Sequence, residues 1–307
     1  MAVESIVEVE RLSHRYARDW AIRDIHLRIG CSGILGLLGS NGAGKSTTMN
    51  ILCGVLSPRE GRVRINGIDM QEHPRQAKRH IGFLPQNPPL HLELTVDEYL
   101  LHCARLRMQG RQRIRRAVDE AKERCGIAHF SDRLLRHLSG GYRQRAGIAQ
   151  AIVHEPSLVV LDEPTNGLDP NQIVEVRKLV REIAQERAVI FSTHILPEVQ
   201  LLCNDIVMIE HGRIVFSDSM EAFNNHIAPD TLMMSLENPP SEHEWLLVEG
   251  VTAARTVAPG QVRLSFKSDR SITERLIELS VRRGWRLQEI RLERSTLDQI
   301  FAELSQR

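Results

Sequence analysis

Nine consecutive residues, Gly39, Ser40, Asn41, Gly42, Ala43, Gly44, Lys45, Ser46 and Thr47, restrict the chemistry of this chain more than any others. A glycine, four residues, a second glycine, then lysine and serine is the spacing of a loop that wraps phosphate. Glycine lets the backbone curl until successive N–H groups converge on phosphate oxygens. A helix starting near Gly44 adds the positive end of its dipole. Lys45 has the length to reach the outer phosphates of a nucleoside triphosphate, and the Ser46 hydroxyl suits Mg²⁺. The apolar residues 34–38 supply the strand such a loop needs, which separates it from a turn that merely contains Gly-Lys-Ser.

A second set of residues decides what happens to the phosphate. The apolar stretch 158–161 ends in Asp162 and Glu163. At the carboxyl edge of a buried sheet, Asp162 would hold Mg²⁺ directly or through water. Glu163 would face the terminal phosphate, where a carboxylate can polarise an attacking water as general base. The plainer alternative is an Asp-Glu pair that caps the next turn. Ser139 is a natural N-cap, and Gly140 and Gly141 expose N–H groups at a helix start, which makes a capped helix or a second anion site. One nucleotide needs only one such site, so a second points to a dimer in which each copy closes over the other's triphosphate. Gln86 and His194 each follow a short apolar strand. Gln86 would reach Mg²⁺ or the lytic water, and His194 the terminal phosphate, although loop glutamines and lone histidines are commonly structural. Tyr16, in the first turn, would stack on an adenine or simply pack.

These residues need a scaffold of strands with helices between them. Short apolar strands at 157–161, 188–191 and 206–209, with a helix over 172–185, indicate an α/β core. The first thirty residues read as two antiparallel strands, with a turn at 15–19 between Ile6, Val7, Val9 and the alternating Ile25, Leu27, Ile29. Residues 95–150 read as helical. They open on a Thr95–Glu98 capping box that sets Leu100, Leu101, Ala104 and Leu106 on one face. A linker over 221–230 precedes a small α+β domain, 231–307, of order β-α-β-β-α-β-α, a ferredoxin-like split βαβ unit. Its markers are a strand at 231–237, a Ser241–Glu244 cap, a hairpin at Pro259-Gly260 and a helix capped by Ser271 and Glu274. A strand at 290–292 and a closing helix at 296–304 complete it. The main domain is residues 1–220, with a helical subdomain at about 90–150.

Bulk composition narrows the classes further. Lys+Arg 40 against Asp+Glu 39 argues against a dedicated nucleic-acid binder, so no nucleic-acid partner is expected. Five scattered cysteines without a C-x-x-C pair fit a reduced cytosolic compartment and give metal clusters no support. The acidic, alternating first ten residues do not read as a signal peptide, and no stretch approaches 18 apolar residues.

Taken in order, Tyr16, the loop 39–47, Gln86, the run 138–145, the strand ending in Asp162-Glu163, Asp169 and His194 resemble the ATP-binding subunit of an ABC transporter over about residues 3–217. The resemblance implies a P-loop ABC ATPase fold with a mixed sheet core, an antiparallel β subdomain and a helical subdomain. It implies ATP and Mg²⁺ as ligands, with Tyr16 stacking on adenine and Gly39, Ser40 and residues 41–47 cradling the phosphates. Gln86 would be the sensor, and Ser46, Gln86 and Asp162 would hold the metal. Glu163 would be the base and His194 the switch histidine. Ser139, Gly140 and Gly141 would close in trans across a homodimer, with Asp169 coupling its two sites. A separate integral-membrane permease would hold the protein at the inner face of the cell membrane. Ser40, Ile34 and Tyr142 stand where proline, an acid and glutamine are frequent, and none removes a reacting group. Residues 291–301 resemble the closing helix of a small domain on ATPases of drug-efflux and gliding-motility exporters. With the likeness of 94–107 to efflux ATPases, they favour export.

The alternative is a soluble ABC-type ATPase acting on nucleic acid or the ribosome. Only about ninety residues, without sustained heptads, separate the phosphate loop from Ser139, which disfavours the coiled-coil DNA-repair type. One cassette, not two, disfavours the translation type. A phosphate-loop kinase of small molecules would lack the run at 138–145. Arg105, Arg107, Arg111, Arg113, Arg115 and Arg116 read as a solvated face before lipid contact.

Overall fold

Alternating apolar residues open the chain with a hairpin of β1 (Val7–Tyr16) and β2 (Asp19–Ile29). The computed structural model describes residues 5–226, 231–266 and 271–293. The hairpin pairs as far as Tyr16 and Asp19, so its turn is tighter than alternation alone suggests. Its ladder is irregular between Val9 and His14, where Arg11 and Asp24 take left-handed backbone. A bulge resets the alternation, and that hides strand length in a sequence.

Then follow β3 (Gly33–Leu38), α1 (Lys45–Leu52), β4 (Glu60–Ile65), β5 (Ile68–Asp69), α2 (Pro74–Arg79) and β6 (Ile81–Leu84). A helical stretch holds α3 (Val96–Arg107), α4 (Arg111–Arg124) and α5 (Gly140–Ile152). The first unit, Met1–Met220, ends with β7 (Leu158–Asp162), α6 (Pro170–Ala184), β8 (Ala188–Thr193), α7 (Leu196–Leu202), β9 (Asp205–Glu210) and β10 (Arg213–Ser219). One sheet has the order β2-β1-β4-β5 and is antiparallel. The other, β10-β9-β3-β8-β7-β6, is parallel except for its edge strand β10. Every residue of β7 and β8 is buried, as strands covered on both faces must be.

Register matters more here than strand count. Leu38 pairs with Thr193, Asp162 with Ser192, and Leu84 with Leu161. Four parallel strands therefore end level, and the residues that follow them share one edge. Gly82 in β6 lets α5 come close, since a Cβ there would stand 1.9 Å from the Ala151 carbonyl oxygen.

The Thr95–Glu98 capping box forms, a contact worth about 1 kcal/mol. The apolar face of α3 corrects the expectation, however: Val96, Tyr99, Leu100 and Ala104 are buried, whereas Leu106 is 73% exposed. Leu106 lies two residues past Ala104, on the opposite side of a 3.6-residue turn. Four of the six arginines between residues 105 and 116 bond within the unit. Arg113 pairs with Glu155 at 3.5 Å, Arg115 with Asp97 at 2.5 Å and Arg116 with Glu120 at 2.7 Å. Arg107 donates to the carbonyls of Lys78 and Ile81 at 3.1 and 2.9 Å.

The second unit, Glu221–Arg307, includes most of α8 (Met220–His226), then β11 (Thr231–Leu236), α9 (Glu242–Leu246), β12 (Val251–Ala258), β13 (Gln261–Phe266), α10 (Ile272–Arg282) and β14 (Leu287–Glu293). Its antiparallel order, β12-β13-β11-β14, is that of a split βαβ unit. The rings of Trp245 and Trp285 pack tilted to each other with centroids 4.7 Å apart, in a core with Leu232, Leu264 and Leu276. The Ser241–Glu244 box forms, but the expected cap at Ser271 and Glu274 does not. The Ser271 hydroxyl instead accepts from Arg275 at 3.1 Å, one turn along. The linker expected over 221–230 is helical as far as His226, where α8 ends. Residues 227–230, with Ala228, Pro229 and Asp230, and the closing helix expected at 296–304 lie outside the described residues. Among the described residues, no helix is long and apolar enough to cross a membrane.

Candidate active site

The phosphate loop turns on two left-handed glycines, Gly42 at φ 83° and Gly44 at φ 110°. At Gly44 a Cβ would also strike Ile22 and the Ala21 carbonyl at 2.6 and 2.7 Å, so β2 leaves no room for another residue. Gly44 caps α1 without a side chain, and the first-turn N–H groups have no acceptor further back along the helix. That fits an anion. Lys45 is buried and donates to the Gly39 and Ser40 carbonyls at 2.8 and 3.0 Å. Its ammonium lies 3.8 Å from Glu163. Burial lowers the Lys45 pKa, against the opposing pull of Glu163, Asp162 and Glu210. A partly desolvated cation beside uncapped N–H groups is suited to a polyphosphate.

Level strand ends deliver the carboxylates and the imidazole to the same place. Asp162 closes β7 and accepts from the Ser192 hydroxyl at 2.6 Å. That hydroxyl also accepts from the Glu163 backbone N–H at 3.0 Å, so one serine of β8 holds both acidic residues. Glu163 is buried and takes φ 47°, a left-handed backbone that costs a non-glycine residue about 1 kcal/mol or more. His194, just past β8, places Nδ1 3.1 Å from both Glu163 carboxylate oxygens. Gln86, two residues beyond β6, is exposed on the same edge.

The other expected residues stand on other elements. Tyr16, 51% exposed, ends β1 with its ring edge-on to His14 at 4.9 Å. Ser139 caps α5 and accepts from the Tyr142 N–H at 3.5 Å. Gly140 is open, since a Cβ there would meet nothing within 4 Å, whereas one on Gly141 would meet the Gln172 side chain at 2.5 Å. Among the described residues, no hydrogen bond or ion pair joins residues 139–141 to the phosphate loop, Glu163 or His194. Asp169 caps α6 through the N–H groups of Asn171 and Gln172, both at 3.0 Å.

Several supporting residues went unnoticed in the sequence. Glu210 ends β9 and takes the Ser40 hydroxyl at 2.9 Å, which ties the loop to its neighbouring strand. An acid directly after an apolar strand was a usable signal for it. Ser192 and Glu198 gave none, because short hydroxyls and a lone glutamate in a seven-residue helix look the same whether buried or exposed.

A sequence profile described as ABC transporter matches residues 22–166. The chain is 32% identical to the daunorubicin/doxorubicin resistance ATP-binding protein DrrA of Streptomyces peucetius, over 97% of the chain and 92% of that protein. It is 30% identical to YhcH of Bacillus subtilis, an uncharacterized ABC transporter ATP-binding protein, over 99% and 97%. A solved structure of cbiO1 from Clostridium perfringens, described as part of the ABC transporter complex cbiONQ, superposes with a TM-score of 0.67. That match has 31% identity and covers 73% of this chain and 92% of the other.

Proposed function

The chain belongs to the ABC transporter family as an ATP-binding, ATP-hydrolysing subunit, and on that premise we propose how its residues share the reaction. The observation that carries the reading is the common edge of β3, β7 and β8, where Lys45, Asp162, Glu163 and His194 converge.

Residues 39–47 cradle the triphosphate through backbone N–H groups, with Lys45 on its outer phosphates. Tyr16 offers its exposed ring to the adenine. Ser46, Gln86 and Asp162 are the groups that would hold Mg²⁺, which would supply positive charge against the phosphate oxygens. Ser46 is a hydroxyl in the first turn after the loop, and Asp162 is a buried carboxylate with one oxygen already bonded, so the donor set suits a hard cation. Glu163 takes the proton of the attacking water, and His194 orients that carboxylate through its Nδ1.

Ser139, Gly140 and Gly141 complete the site from a second copy. In support, Ser139 and Gly140 are exposed and lack bonds to their own loop, and Gly140 has open space around it. ATP brings two copies together, and hydrolysis lets them part. A separate permease receives this motion through the helical stretch 90–138 and keeps the subunit at the inner face of the membrane. Residues 1–220 are the ATPase domain, and the small domain 231–307 serves the dimer, the regulation or the partner contact. Export is the favoured direction, supported by near full-length similarity to a protein named for drug resistance.

Glu163→Gln tests the scheme. The variant should bind ATP, lose turnover by about 10²- to 10⁴-fold, and accumulate as a dimer in light scattering. A variant that stays monomeric at saturating ATP refutes the shared site.

A further inference from the structure

Beneath the candidate reacting groups lies a carboxylate that touches none of them. Glu198, on α7, is 1% exposed. Its Oε2 accepts from the Thr165 hydroxyl at 2.9 Å and from the Thr193 hydroxyl at 2.8 Å. Its Oε1 accepts from Arg177 of α6 at 3.3 Å. Thr165 lies two residues past Glu163, and Thr193 immediately precedes His194. One buried oxygen therefore joins the two chain segments whose neighbours meet at 3.1 Å above it. Thr193 is committed further, since its hydroxyl also accepts from the Ile195 N–H at 3.1 Å.

We propose that Glu198 is a positioning residue for hydrolysis, fixing the separation of Glu163 and His194 by holding Thr165 and Thr193. The proposal rests on the roles given to Glu163 and His194 above.

Physical chemistry favours this over simple stabilisation. A buried carboxylate is costly, and an apolar side chain of similar volume would commonly serve stability as well or better. Its partners are not scattered: they lie in the segment after β7, at the end of β8, and on the helix that follows Asp169. Arg177 shares α6 with Gln172, which abuts Gly141. A shift of α6 is thus transmitted by one ion pair to the Glu163–His194 spacing. Misplacement of reacting groups by about 1 Å can cost about 10²-fold in rate, enough to make such a bracket worth its burial.

The test is steady-state ATP hydrolysis by the full chain and five variants: Glu198→Gln, His194→Ala, their double, Thr193→Ser and Thr193→Val. Glu198→Gln keeps the volume and removes the charge and one acceptor. It should lower kcat about 10- to 100-fold, as loss of an orienting partner does, while KM for ATP stays within about twofold. Its loss should overlap with that of His194→Ala, so the double variant is little worse than the worse single one. Thr193→Ser should retain kcat and Thr193→Val should lose it. Near wild-type kcat in folded Glu198→Gln, or losses that multiply in full with His194→Ala, overturns the proposal. Should Glu198→Gln fail to fold, the Thr193 pair decides: equal kcat in Ser and Val refutes the bracket, and loss in Val alone supports it. If Glu163→Gln loses turnover while Glu198→Gln does not, only the positioning role falls and the wider scheme stands.

Discussion

Burial gives individual side chains in this chain properties that their sequence neighbours do not suggest. His154, two residues past α5, is nine-tenths buried, and its Nε2 lies 3.0 Å from the Ile81 carbonyl. Its Nδ1 is buried without a partner among the described residues. Burial, and then the Arg107 guanidinium, lowers its pKa from 6.5 to about 4. Because the folded-state value is the lower one, the unfolded chain takes up the proton first as pH falls. The stabilisation is therefore full above about pH 6.5 and fades toward pH 4, by up to about 3 kcal/mol. Urea denaturation at pH 7, 5.5 and 4.5 should show a shallower decline for His154→Gln than for the parent chain; parallel declines would refute it. Legibility followed the same line. Lys45, Asp162, Glu163 and His194 could be read because a glycine spacing or an apolar strand marks each position. Glu198, Ser192 and Arg177 could not, since what distinguishes them is burial among partners distant in sequence.

The elements differ in how plainly they announce themselves. Capping boxes at Thr95 and Ser241 form as expected because donor and acceptor are three residues apart, and local chemistry suffices. Strand register is not local. That β3, β6, β7 and β8 end level follows only from their pairing, and the active edge depends on it. The contact between β6 and α5 gives this a testable form. Gly82→Ala places a Cβ 1.9 Å from the backbone oxygen of Ala151, which cannot rotate away. A loss of about 1–3 kcal/mol is expected, with α5 displaced. Gly140→Ala, at the start of the same helix, meets nothing within 4 Å and should leave stability within about 0.5 kcal/mol. If residues 139–141 close over the other copy's nucleotide as proposed, its effect should fall on turnover and on ATP-driven dimer formation, because the added methyl would crowd that surface. Full hydrolysis by Gly140→Ala would remove that surface from the site.

At the scale of the whole chain, two units each close their own core, one reaching from Ile6 to Ile209 and the other from Leu232 to Trp285. A length of 307 residues already suits a larger and a smaller domain, while the strand order of the second unit emerged from alternation and turn residues. Separate cores should melt separately. The aromatic residues supply a reporter, because Trp245 and Trp285 are buried in the second unit, whereas Trp20, in the first, is 39% exposed. Tryptophan emission therefore follows mainly the second unit, and far-UV circular dichroism follows both. A nucleotide that binds only the first unit stabilises only that unit, by about 2.7 kcal/mol at a hundredfold excess over its Kd. In the Glu163→Gln chain, where ATP survives the scan, Mg²⁺-ATP should raise the main dichroism transition by several degrees. The emission transition should stay where it is without nucleotide. Equal upward shifts of both signals would mean that the small unit feels the nucleotide directly, and would make it part of the ATP-driven machinery.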